Sequence, residues 1–149
     1  MRKTEMHILL IGIGNPLRGD DGIGAFLCEK MEALRITGLQ TLTVQQLTPD
    51  LLEEMMRADF TVLADAAVSV TGVEFRPVLE ENLPGVSSSH HASAEQLFQM
   101  AKLIYGKKLS LHICALGAVQ FELGAPLSPE AKKNAGQAVS ILLEWINGL

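Results

Sequence analysis

The chain is short of aromatics, cysteine and basic charge, and each shortage closes off a class of protein. One Trp, one Tyr and five Phe in 149 residues mean that a core must be filled mainly by Leu, Ile, Val, Ala and Met. That composition suits a parallel sheet covered by helices on both faces. The two cysteines, Cys28 and Cys114, stand alone inside apolar runs. They form neither a CxxC metal or redox pair nor a secreted disulfide framework, and they fit a reducing cytoplasm. Twelve Lys and Arg against seventeen Asp and Glu leave a net charge of -5, with the cations scattered. Such a surface has no footprint for a phosphate backbone, so nucleic acid is not an expected partner. No apolar run approaches the ~20 residues needed to span a bilayer, and the short one near the N-terminus has no cleavage site behind it. The expectation is a cytoplasmic protein without membrane attachment, folded as one domain over residues 1–149.

What is present is a regular alternation of elements. Residues 8–11 form a continuous apolar run stopped by Gly12, a buried strand. Ile23, Phe26, Leu27, Met31 and Leu34 then recur at helical spacing, with Gly38 as the C-cap residue. A second strand is expected over 39–44. Thr48, Pro49 and Asp50 carry the start signature of a short helix. Residues 60–64 read as another buried strand with Asp65 at its carboxyl end, and 73–79 as a more exposed one. The segment 80–89, with Pro84, Gly85 and three serines, reads as a loop closed by His90 and His91. Ser93 and Gln96 have capping-box spacing before a helix that ends at Gly106. A last strand within 109–119 and a helix opened by Ser128, Pro129 and Glu130 complete the chain. The β-α-β-α-β-β-α-β-α pattern predicts a three-layer α/β/α sandwich, in which ligands bind beyond the carboxyl ends of the strands.

Three polar features converge on that edge: Asp20 and Asp21 after the first strand, Asp65 after the third, and His90 with His91 before the third helix. The Gly12-x-Gly14 turn invites a dinucleotide-binding reading, but the third glycine of that fingerprint is replaced by Leu17. Two carboxylates at the helix start would also repel a pyrophosphate. One Asp suffices to cap a helix, so an adjacent pair in a Gly-rich turn calls for a further role. A carboxylate ending an apolar strand, as Asp65 does, must be solvated in a cleft or paired. Two carboxylates and an imidazole from separate loops make an O,O,N set for a divalent transition ion such as nickel or zinc, with positions left open for substrate. No HExxH or Cys/His cluster indicates a permanently bound zinc, and no Gly-x-Ser-x-Gly elbow marks a serine nucleophile. His7 and His112, inside or beside strands, read as structural.

These motifs resemble the hydrogenase maturation proteases, which finish the large subunit of [NiFe] hydrogenases. The likeness rests on Gly12-x-Gly14-Asn15 followed by Asp20-Asp21-Gly22-x-Gly24, on Asp65, on Ser88-Ser89-His90, and on Glu122-Leu123-Gly124 with Leu127-Ser128-Pro129-Glu130. The resemblance implies a mostly parallel, mixed five-stranded sheet and a monomeric endopeptidase. It would cleave the C-terminal extension of a nickel-loaded large-subunit precursor, which is both substrate and partner. It further implies Asp21, Asp65 and His90 as nickel ligands, with His91 as the alternate, the nickel being carried by the precursor and no organic cofactor being needed. Asp20 is then a candidate general base. Gln45 and Gln46 depart from members that place an acid after the second strand. The competing expectations are a docking module of the same fold that binds without cleaving, and a nucleotide-binding regulator.

Overall fold

The computed structural model describes residues 6–80 and 93–149. Strand β1 (Ile8–Ile13), helix α1 (Ile23–Ala33), β2 (Leu39–Val44), α2 (Leu52–Arg57), β3 (Phe60–Ala67), β4 (Val73–Pro77), α3 (Ala94–Tyr105), β5 (Leu111–Gly117) and α4 (Pro129–Asn147) follow in the predicted order. Short 3-10 turns, Gly19–Gly22 and Pro49–Leu51, lead into α1 and α2. The five strands lie in the order β2-β1-β3-β5-β4. All neighbours run parallel except β4, which pairs antiparallel with β5 at one edge.

Alternation along the strands sorts the core into two layers. Leu10, Val62, Ala64 and Cys114 pack beneath α1 and α4, against Leu27, Met31, Ala135 and Leu142. Leu9, Ile11, Leu63 and Leu111 face α2 and α3, against Met55, Leu97, Phe98 and Ala101. The chain leaves β1 for β2 on one side and enters β3 on the other. The strand order therefore reverses between β1 and β3, which opens a crevice at their carboxyl ends.

Several boundaries differ from the sequence reading for identifiable reasons. Gly12 does not stop β1, which continues through Ile13. Its lack of a side chain serves helix–sheet contact instead: a Cβ on the facing Gly24 of α1 would lie 2.7 Å from the Ala64 carbonyl oxygen and 2.8 Å from the Ile13 nitrogen. Helix α1 ends at Ala33, five residues before Gly38, because Arg35 turns into the left-handed region at φ 51°. Leu34 consequently falls outside the core stripe and is 48% exposed. Strand β3 runs on to Ala67, since β5 continues beside it and pairs Asp65 with Ala115 and Ala67 with Gly117. Asp65 thus lies within a strand rather than after one.

The caps of α3 and α4 agree with their signatures, whereas Thr48, at the N-cap of the 3-10 turn before α2, makes no side-chain capping bond. Ser93 accepts a hydrogen bond from the Gln96 backbone N–H at 3.1 Å, and its own N–H donates to Gln96 Oε1 at 2.8 Å. Gly106 ends α3 in the left-handed conformation, and Ser128 caps α4 by accepting from the Ala131 N–H. The expected loop over 80–89, with His90 and His91, lies outside the described residues apart from residue 80.

Candidate functional site

The segment from Gly14 to Gly22 crosses the carboxyl edge of the sheet and delivers its two carboxylates to opposite fates. Gly14 has φ 133°, and a side chain there would collide with the Asp21 carbonyl, so the turn folds tightly back on itself. Asp21 closes the turn by accepting the Asn15 N–H on Oδ2 at 2.7 Å and presents the rest of its carboxylate to a cavity. Asp20, one residue earlier, points the other way and is completely buried. Its Oδ2 accepts the N–H groups of Val119 at 2.9 Å and Gln120 at 3.1 Å and the Ser128 hydroxyl at 2.8 Å. Its Oδ1 accepts the Ser128 N–H at 2.7 Å. Burial by itself pushes this carboxyl up, but the four hydrogen bonds together outweigh burial and hold it below the ordinary range.

Asp20 therefore does not fit the role of general base. Its carboxylate is closed to solvent, its acceptor positions are filled, and its basicity is reduced. Nor does it cap α1, whose N-cap residue is Gly22 with no side-chain bond. Asp20 is a clasp between the loop after β1 and the loop after β5.

Asp65 is half-buried in the register row Val44, Ile13, Asp65, Ala115, Glu74 that crosses the whole sheet near its carboxyl edge. Burial pushes its carboxyl up to about 6; the Ala66 N–H opposes this and the negative charge of Asp21 adds to it. Asp21 and Asp65, from the two strands flanking the topological switch, are thus close enough to repel. Both line a cavity of about 560 Å³. Its other walls are Gln45, Gln46 and Leu47 after β2, Leu63 and Ile113 on the sheet, Arg76 on β4, and Ser93, Ala94 and Glu95 at the start of α3.

Of the residues picked out in the sequence, Asp21 and Asp65 come together here, while His90 and its alternate His91 lie outside the described residues. Among the described residues no three His, Cys, Asp or Glu side chains gather as a metal site. Arg76 and Glu95 went unrecognised in the sequence. The antiparallel pairing of β4, which sets Arg76 opposite Ile113, brings Arg76 to the cavity, and the first turn of α3 brings Glu95. His7 bonds Gln40 Oε1 at 2.9 Å, and His112 stacks on Phe75 with ring centroids 4.9 Å apart, so both sit away from the cavity. Burial lowers the His112 pKa. No helix among the described residues is long and apolar enough to cross a membrane.

Fold and site together define a three-layer α/β protein with paired carboxylates at the switch point of a mixed sheet. Comparison with known proteins places that fold. No protein-family model matches the chain. It is 25% identical, over 163 aligned residues covering 99% of it and 92% of its relative, to a Methanocaldococcus jannaschii protein named a putative hydrogenase maturation protease. The hydrogenase maturating endopeptidase HybD from E. coli superposes with a TM-score of 0.74 at 22% identity, covering 96% of this chain and 93% of that one. The [NiFe] hydrogenase maturation protease HycI from Thermococcus kodakarensis KOD1 gives 0.69 at 20% identity, with 93% and 91% covered. The chain has the fold of the hydrogenase maturation proteases, as its motifs predicted.

Proposed function

We propose that the protein is a cytoplasmic, monomeric endopeptidase that removes the C-terminal extension of a nickel-loaded [NiFe] hydrogenase large-subunit precursor. One observation carries the chemistry: Asp21 and Asp65 line the same cavity at the switch point, where burial, with the charge of Asp21 adding to it, pushes the Asp65 carboxyl up to about 6. Two carboxylates set in one partly buried cavity are arranged for a cation. Carboxylate oxygens with one imidazole suit a divalent transition ion, and His90, with His91 as the alternate, completes that set. The ion is the precursor's own nickel, so it belongs to the substrate. Asp21 and Asp65 engage it and hold the adjoining peptide in the cavity, where proximity to the reacting water lowers the entropic part of the barrier.

The same acidic floor opposes nucleotide binding, because a pyrophosphate would meet Asp21 where the fingerprint needs a bare helix end. The test is intact mass. Incubated with nickel-loaded precursor, the protein should release one C-terminal peptide, and nickel-free precursor should keep its mass. Precursor that binds and never changes mass would establish the docking-module reading in its place. A His90→Ala variant should bind precursor poorly and cleave none, with unchanged thermal stability. Normal cleavage by that variant would remove His90 from the site.

A further inference from the structure

Arg76 is the only Lys or Arg among the described residues lining the cavity. It belongs to the edge strand β4, is exposed, and among the described residues has one ion-pair partner, Glu95, at 3.9 Å. That separation is outside hydrogen-bonding range, so the guanidinium keeps its fork of donors for another partner. This long, partly exposed contact leaves it unsaturated.

The register fixes where Arg76 stands relative to the candidate metal site. Asp65 pairs with Ala115 on β5, and Arg76 pairs with Ile113 two residues earlier on the same strand. Two inter-strand spacings of roughly 4.8 Å and one two-residue step of about 6.6 Å put the Cα atoms of Asp65 and Arg76 ~12 Å apart. An extended peptide covers that distance in about three to four residues.

We propose that Arg76 is a specificity-determining residue that takes a carboxylate of the substrate peptide, three to four residues along the peptide from the residue whose metal is held at Asp21 and Asp65. This rests on the endopeptidase reading and adds a subsite to it. The cavity is polarised: an anionic floor takes the precursor's metal, and a cationic wall takes an acidic side chain or chain terminus of the same segment. A guanidinium suits this task, since it binds carboxylates through two parallel donors and stays charged at every working pH. The pairing sets the register of the peptide across the cavity and so selects the bond presented for cleavage.

The experiment compares wild type with R76A, R76K, R76E and E95A on nickel-loaded precursor, reading initial rates against precursor concentration and, separately, affinity by fluorescence anisotropy. R76A should raise KM and weaken affinity about ten- to a hundredfold with kcat within about threefold, the value of a charge-assisted bidentate contact. R76K should be intermediate, and R76E worst. Exchanging an acidic residue of the precursor segment for Lys should restore binding by R76E. E95A should bind at least as well as wild type; a loss equal to that of R76A would mean the pair only braces α3, and would overturn the proposal. Wild-type KM and affinity in R76E would overturn it as well. If wild type binds precursor without cutting it and R76E binds it weakly, the protease reading fails while the Arg76 subsite stands.

Discussion

At the scale of single residues, two aspartates make opposite contributions to stability. Asp20 is fully buried and accepts four hydrogen bonds, which hold its folded pKa below 3.8. The native state then binds fewer protons than the unfolded chain, so the stabilisation is complete above the unfolded pKa and is lost as pH falls through the folded one. Asp20→Asn sets an amide N–H₂ against donor groups and should cost about 2–4 kcal/mol, lowering Tm by roughly 10 °C at pH 7. A Tm within about 2 °C of wild type would contradict the clasp. Asp65 behaves inversely. Its folded pKa of about 6 exceeds the unfolded 3.8, so the native state binds more protons between those values, and stability falls as pH rises from ~4 to ~6. Asp65→Asn should therefore stabilise the protein by about 1–3 kcal/mol at pH 8, flatten that dependence and abolish processing. Urea denaturation of both proteins at pH 4 and pH 8 measures it, and a loss of stability at pH 8 would refute it.

Among the elements, the join between α1 and the sheet decides where Asp21 goes. Gly24 lies so close to Ile13 and Ala64 that a methyl group has no room. Gly24→Ala should push α1 off β1 and carry the preceding turn with it, costing about 1–3 kcal/mol and most of the processing activity. Wild-type rates from that variant would show that the turn keeps its place without the contact. This level also shows what the sequence disclosed. Capping signatures located α3 and α4 because Ser93, Gln96 and Ser128 act through bonds to residues three positions away. Gly12 and Gly38 misled because a glycine required by a distant contact looks the same in sequence as one required by a local turn. Asp21 and Asp65 were legible as a pair at the carboxyl edge, whereas Asp20 was told from Asp21 only by the family resemblance, which made it a candidate general base. Their divergence depends on Val119, Gln120 and Ser128, about a hundred residues further on. Arg76 gave no local signal, since its site is set by strand order.

For the whole molecule, the two layers of core meet through one sheet, and both thiols report on the layer beneath α1 and α4. Burial pushes Cys28 on α1 up to about 11 and Cys114 on β5 up to about 12, both in the layer beneath α1 and α4. Neither thiolate exists at neutral pH in the folded state. Alkylation should reach both cysteines only through global opening, at equal rates that rise together with urea. Rapid labelling of Cys28 alone would reveal an α1 that detaches independently.

The clasp at Asp20 also sets an order in time. Its Ser128 partner follows it by 108 residues. During synthesis, at ~5–20 residues per second, the loop bearing Asp21 is made early and waits several seconds for the segment that pins it. A nascent chain shorter than about 128 residues can pair β1, β2 and β3, yet its turn bearing Asp21 has no anchor. The protein therefore acquires its capacity to act late, when the start of its last helix has left the ribosome.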